Sequence, residues 1–328
     1  MHTARQNLRV QQWITLISVV LFVAKIIAYY LTHSLSVLTD ALESIVNVLA
    51  GFIGLYSLYV AAKPRDTEHP YGHGKAEFVS SAVEGALIIA AGFLILYETF
   101  QNLIQNKPLQ QLDKGLYVIA VTAVVNFVAG VICIRIGKKN KSLALESSGK
   151  HLLIDTWSTL VIIAALFVML YTQLLWIDKV VAFILSLFII FNGYKITRKS
   201  IAGIMDEADM ELLQKLVLVL NNNRRENWID LHNLRVIKYG SVLHIDCHLT
   251  VPWYMNVLDA HKEIDALIGL IKKEFGDAIE MFIHTDPCLD FSCNICFKND
   301  CNVRRHSFKK RIEWKLDNVI SNKKHQLD

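Results

Sequence analysis

The 328-residue sequence has no GxxxxGK[ST] loop with which to cradle a nucleotide phosphate, so nothing in it points to a nucleotide-driven pump. No internal repeat and no low-complexity tract stands out, and the organisation must therefore come from unlike segments. No small-residue cleavage site follows the first apolar run, and the twelve residues before it carry only Arg5 and Arg9 as basic groups; that run is read as a retained helix and not a signal peptide. Lys and Arg are almost missing from the connections near His33, Asn106 and Thr172, whereas 5–9, 63–75 and 138–141 hold them. By the positive-inside rule the basic set, and both chain ends with it, faces the cytoplasm.

Apolar windows of roughly 20 residues, enough to cross a hydrocarbon core, recur from Trp13 to about Ala202 and are absent afterwards. At 53% hydrophobic content, mean hydropathy +0.34 and net charge +4, the chain is too apolar for a soluble domain and too charged to be membrane throughout. Six membrane helices are expected at about 13–31, 36–62, 78–104, 114–137, 147–172 and 176–203. Beyond 206 come an amphipathic helix at 210–220, strands at 233–239 and 242–251 joined by a Tyr239-Gly240-Ser241 turn, a helix at 257–275 and a strand at 279–284. The expected fold is a six-helix all-α transmembrane bundle (1–205), then a small α+β cytoplasmic domain of order αββαβ (206–287), then a Cys-rich segment and basic tail (288–328). The tail, 304–328, holds eight Lys or Arg against three acids with Ile312, Trp314, Leu316, Val319 and Ile320 interspersed, and reads either as an amphipathic helix at the membrane surface or as a solvated tail.

Polar residues inside the apolar runs carry the chemistry. Asp40, Glu43 and Asn47 share one face of the second helix, and His151 and Asp155 lie four apart on the fifth. A charge at the bilayer centre costs on the order of 2.5–3.5 kcal/mol, and such residues usually face a bundle interior along an ion path. Two i, i+4 pairs suit tetrahedral coordination, and a mixed oxygen and imidazole set favours Zn²⁺, Fe²⁺ or Mn²⁺ over Cu⁺. The competing reading is plain interhelical hydrogen bonding. Lys25 and Glu84 are weaker candidates, each read as snorkelling or pairing with a neighbour. In the loop after Pro64, Asp66, His69 and His73 stand three and four apart, a spacing that suits either a second cation site or a tight turn using Gly72 and Gly74. Late in the chain, Cys288, Cys293, Cys296 and Cys301 surround a CxxC core that reads as a thiolate metal site, a redox pair or unligated thiols.

The string His69-Pro70-Tyr71-Gly72-His73-Gly74-Lys75-Ala76-Glu77 resembles the signature loop of the cation diffusion facilitator family, as do 34–48 its second helix, His151 to Asp155 its fifth, and His284-Thr285-Asp286-Pro287 a strand end of its cytoplasmic domain. The resemblance covers roughly 10–287. It implies a metallochaperone-like αββαβ domain, a homodimer, and export of a divalent metal (zinc first; iron, manganese or cobalt also fitting) in exchange for protons. It further implies a transport site on Glu43, Asn47, His151 and Asp155, a loop site on Asp66, His69 and His73, and cytoplasmic sites drawing on His232, His248, His261, His284 and Asp286. Glu43 and Asn47 depart from the usual His or Asp followed by Asp, leaving Asp40 as a compensating ligand or a supporting partner. The expected protein is a multi-pass transporter of the plasma (inner) membrane, not an enzyme, with lipid, metal ions, protons and a second copy of itself as partners and no nucleic acid. The rival is a membrane-anchored metal sensor without transport.

Overall fold

The computed structural model describes residues 2–105, 112–140, 143–172, 174, 176–239 and 242–327. Gly240 and Ser241 of the expected hairpin turn, Asn106 and Lys141 lie outside the described residues. The chain forms two compact units, Met1–Met205 and Asp206–Asp328.

The first unit consists of α1 (His2–Thr32), α2 (Leu35–Ala61), α3 (Ala76–Gln105), α4 (Leu112–Lys139), α5 (Leu143–Thr172) and α6 (Trp176–Ile204). Each contains a span of 24 to 29 residues long and apolar enough to cross a membrane; at 1.5 Å per residue even the shortest exceeds a core of about 30 Å. Such helices gain nothing from hydrophobic burial against one another, so they pack where small residues let backbones close in. Two reciprocal glycine pairs do this. A Cβ on Gly85 of α3 would stand 2.9 Å from the carbonyl oxygen of Gly193 on α6, and one on Gly193 would stand 2.9 Å from that of Gly85. Gly130 of α4 and Gly149 of α5 meet in the same way, at 3.0 and 2.8 Å.

The start of α2 is fixed by a buried carboxylate from another helix. Asp178 of α6 accepts from the Ser34 and Ser36 hydroxyls at 2.6 and 2.7 Å and from the backbone N–H groups of Leu35 and Ser36 at 2.7 and 3.1 Å. Two of the amides that a helix N-terminus leaves unsatisfied are thereby closed, and the negative charge sits at the positive end of the helix dipole. Ser34 itself caps the helix by accepting from Val37 N–H.

The second unit runs α7 (Met210–Asn222), β1 (Asp230–Tyr239), β2 (Val242–Val251), α8 (Val257–Phe275), β3 (Ile279–Pro287) and a one-turn α9 (Leu316–Val319). In the sheet, ordered β1-β2-β3, β1 pairs antiparallel with β2 and β2 parallel with β3, α8 supplying the crossover. The order is the expected αββαβ. Alternation sends Ile245, Cys247, Leu249 and Val251 inward, against Leu213, Leu216 and Leu220 of α7 and Leu267 and Ile271 of α8. Cys247 is therefore a core residue, its thiol pushed up to about 12 by burial. His244, Asp246 and His248 fall on the other face.

Two features differ from expectation. Strand β1 starts at Asp230, three residues early, because a bulge between His232 and Arg235, with Asn233 at φ 53°, shifts the inward phase from Leu231 to Leu234 and hides the alternation. The tail is not one amphipathic helix: it is exposed throughout 305–311 and packs on the domain only farther on. Trp314 and Val319 are buried in the domain core, only Leu316–Val319 is helical, and the Arg224 guanidinium lies 4.2 Å over the Trp314 ring. Trp314, Leu316 and Val319 anchor an irregular strap, whereas Ile320 stays exposed, and Ser321 ties the strap to β1 by accepting from Asn233 N–H at 2.7 Å.

Gly193→Val is expected to force α3 and α6 apart at a cost of about 1–3 kcal/mol, whereas Gly269→Ala, where a Cβ meets nothing within 4 Å on α8, should stabilise slightly. Thermal unfolding of the two variants in detergent checks this; equal midpoints would remove the close-packing account.

Candidate metal centres

In the membrane unit, α2 and α5 bring the expected residues together. The Asn47 amide bridges the other two: its Oδ1 lies 2.6 Å from His151 Nε2 and its Nδ2 donates to Asp155 Oδ2. His151 Nε2 stands 3.9 Å from Asp155 Oδ1. Glu43, one turn before Asn47, is buried and faces Asp155. Asp155 is 1% exposed, and its Oδ1 accepts no hydrogen bond. A buried carboxylate oxygen without a donor is costly unless a cation occupies the gap, so the donor set fits a metal ion as cargo.

Asp40 plays another part. Lys25 of α1, equally buried, donates to its Oδ1 at 2.8 Å, and the Thr159 hydroxyl of α5 donates to the same oxygen at 3.0 Å. The charge of Asp40 is thus balanced within the protein, and the residue supports the site from one turn away. Lys25, a weak candidate in sequence, is the residue that decides this; its signal was a single cation inside an otherwise apolar run.

The loop between α2 and α3 places Asp66, His69 and His73 with donor atoms all within 4.8 Å of one another. Asp66 Oδ1 accepts from the backbone N–H of His69 at 2.7 Å and lies 3.0 Å from its Nδ1, while Oδ2 is 3.4 Å from His73 Nε2. The His69 N–H bond, then the two imidazoles, hold the exposed Asp66 carboxyl below its usual range. Gly72, at φ +88°, makes the turn that brings His73 back, and His73 Nδ1 is buried with no hydrogen-bond partner. Turn and cation site are therefore not alternatives here; the turn builds the cluster.

The sheet builds a third cluster by register. His232, His248 and His284 are direct partners across β1, β2 and β3, so their side chains leave the same face as a row. Ring centroids are 5.0 Å apart for the first pair and 4.6 Å for the second. Asp286 joins them, Oδ2 lying 3.3 Å from His232 Nε2 and 3.2 Å from His248 Nδ1, and His232, His248 and Asp286 again meet within 4.8 Å. His284 is more exposed, with Nε2 3.6 Å from Asp286 Oδ1. Behind His232, buried Asp230 stands 3.5 Å from its Nδ1 and accepts from the His325 backbone N–H at 2.9 Å. Burial alone would raise the Asp230 carboxyl, but the His232 and His325 contacts outweigh it and hold it low.

His261 is not brought to this cluster. It lies on the exposed side of α8, 3.7 Å from Asp265. The tail contributes instead, a part no sequence signal announced: Lys324 Nζ lies 3.5 Å from Asp286 Oδ1 and donates to Pro287 O at 3.1 Å. Cys288, Cys293, Cys296 and Cys301 line a separate cavity.

Apolar spanning helices enclosing a carboxylate–amide–imidazole cluster, with further cation clusters outside them, define a multi-pass membrane protein that handles cations. The chain belongs to the cation efflux, or cation diffusion facilitator, family: the model of the cation efflux transmembrane domain matches residues 12–205 and that of the cation efflux protein cytoplasmic domain matches 208–288. It is 30% identical to the uncharacterized transporter sll1263 of Synechocystis sp., over 81% of this chain and 86% of that protein. It is 27% identical to the cation-efflux pump FieF of Shewanella oneidensis, over 81% and 89%. Metal tolerance protein C1 of Arabidopsis thaliana is also 27% identical, over 84% of this chain and 61% of its own length.

In metal titrations of the purified full chain, His232→Ala is expected to remove one binding step. Asp230→Asn, which keeps the shape but weakens the hold on His232, should weaken that same step about 10–100-fold, and His261→Ala should leave it unchanged. A loss with His261→Ala equal to that with His232→Ala would overturn the assignment.

Proposed function

We propose that this protein exports a divalent transition-metal cation across the plasma membrane in exchange for protons, working as a homodimer with both chain ends in the cytoplasm. The observation that carries the reading is the buried Asp155 Oδ1, which has no donor, beside the Asn47 bridge to His151 where α2 meets α5. A merely anchoring bundle has no use for that arrangement, whereas a path that must hold and release a cation does. The printed names of relatives, a cation-efflux pump and a metal tolerance protein, point the same way.

Two carboxylates, an amide oxygen and an imidazole make a mixed oxygen and nitrogen set suited to Zn²⁺ in the first place, with Fe²⁺, Mn²⁺ and Co²⁺ as the other candidates. Proton exchange follows from the ligands. His151 would bind metal only through an unprotonated ring nitrogen, so metal and proton compete for the same atom. Alternate exposure of the site to the two sides turns that competition into antiport. The loop and sheet clusters, outside the helices, would capture or sense the ion. The dimeric arrangement is supported by the match to the cytoplasmic domain model and by the tendency of cations to bridge acidic surfaces. This function needs no catalytic residue and no nucleic acid.

Proteoliposomes with an imposed pH gradient provide the test. Gradient-driven uptake of one of Zn²⁺, Fe²⁺, Mn²⁺ or Co²⁺ is expected, abolished in Asp155→Ala and reduced at least about tenfold in Asn47→Leu, the lower end for supporting residues of metal sites. Near-zero uptake of every metal by wild type and variants alike would favour a membrane-anchored sensor.

A further inference from the structure

The four late cysteines belong to none of the three clusters above, and the match to the family's cytoplasmic domain ends at residue 288. We propose that Cys288, Cys293, Cys296 and Cys301 form a fourth metal site, a thiolate site for a soft cation of the Zn²⁺ class, which staples the C-terminal extension to the sheet domain.

One continuous stretch, Cys288 to Cys301, curls so that all four residues line one cavity of about 30 Å³, which Tyr254 and Arg304 also line. That is room for about one water-sized body. Cys288 follows β3 directly, its N–H donating to Val251 O at 2.9 Å, so its position is set by the sheet. Cys293 rides on a short 3₁₀ turn, Asp290–Asn294, and the Cys296 N–H closes back onto Ser292 O at 3.0 Å. The Arg304 guanidinium donates to the carbonyl oxygens of Cys293 and Cys296 at 3.0 and 3.1 Å and to that of Lys298. The backbone of the CxxC knuckle is therefore held by Arg304, and all four cysteines line the cavity.

The second observation concerns what orders this segment. Between β3 and α9 the only regular structure is that 3₁₀ turn. Its local apolar cluster is small: Ile229, Ile295 and Cys296, with Cys288, Ile312 and Leu327 against them. Chain segments with so little core are usually stapled by disulfides or metal. All four cysteines are free thiols, so they are available as thiolate ligands for the proposed metal.

Among the described residues, the groups whose donor atoms all meet within 4.8 Å are the two His/Asp clusters, so the sulfurs ring their cavity more widely. Tetrahedral Zn–S bonds of about 2.3 Å place sulfurs about 3.8 Å apart. Loading therefore draws the loops inward. Thiolates select softer ions than the oxygen and nitrogen donors of the other clusters, so the site is chemically distinct from the transport path. Its consequence reaches the sheet cluster, because the strap it anchors carries Lys324 to Asp286 and His325 to Asp230.

Cobalt loading of the purified full chain in detergent reads the site directly, since only sulfur ligands give thiolate-to-cobalt charge-transfer absorption. The band is expected in wild type, in His232→Ala and in Asp155→Ala, and lost in the Cys293→Ser/Cys296→Ser double variant. In wild-type protein, Zn²⁺ should also slow alkylation of all four cysteines, followed by mass spectrometry, a readout that does not depend on any variant folding. No band in wild type, alkylation rates indifferent to metal, or a disulfide among the four would each overturn the proposal. Transport failing while the band persists would count only against the antiporter reading.

Discussion

A carboxylate inside hydrocarbon has to be answered by a donor or a cation, and three of the four buried carboxylates among the described residues of the membrane unit, Glu43 being the other, tie helices together. Asp178 on α6 is answered by hydroxyls and amides at the start of α2. Asp40 on α2 is answered by Lys25 on α1 and Thr159 on α5. Asp155 on α5 is answered on one oxygen only, by Asn47 on α2. Each bond ties two helices together, and α2 takes part in all three. Breaking a buried pair by removing one partner costs about 3–5 kcal/mol, far more than the intact pair contributes over an apolar substitute. The bonds thus specify where the helices go more than they stabilise the bundle. Asp40 Oδ2 and Asp155 Oδ1 both lack a donor, but Lys25 balances the charge of Asp40 within the protein, and it is the charge of Asp155 that the proposed cation would balance.

The same contrast explains what the sequence made legible. A charge in an apolar run stands out, so Asp40, Glu43, His151 and Asp155 could be picked out by their spacing alone. Their partners could not. The Asp178 cap links residues 144 apart, and the Lys25–Asp40 pair crosses between helices, so neither leaves a local pattern. In the soluble unit, hydrophobic periodicity located both long helices and all three strands, but the bulge at Asn233 concealed the start of β1, and with it the fact that His232 sits on the sheet. The tail failed for a different reason. Trp314, Leu316 and Val319 were visible as apolar residues, but spacing within an irregular strap has no period, and only the packing of Trp314 under Arg224 shows where they go.

The sheet converts short-range sequence into long-range chemistry. Residues 232, 248 and 284 become neighbours because β2 pairs with both β1 and β3, one antiparallel and one parallel. An implied ligand that lies off this row, His261, ends on the solvent side of α8. Lys324 stands beside Asp286 as a cation does. An incoming metal would compete with that ammonium for the carboxylate, so the affinity of the cluster depends on how firmly the strap is held.

Charge balance accounts for the departure at Asn47. In the proposed transport site a dication held by Glu43 and Asp155, with Asn47 and His151 as neutral donors, would give zero net charge, and the adjacent Asp40 and Lys25 balance each other. A third carboxylate at position 47 would leave one uncompensated negative charge in a low-dielectric surrounding, where field effects are least screened. It would also hold the ion harder, whereas a transported ion must leave as well as enter. In the proposed antiport, protons that replace the departing ion keep the two carboxylates from standing unanswered together, so neutrality is preserved in both halves of the cycle. An amide at Asn47 is therefore not a weakened copy of a carboxylate site. Its Nδ2 donates to Asp155, which an ionised carboxylate cannot do, and in the proposed site its Oδ1 would serve the metal.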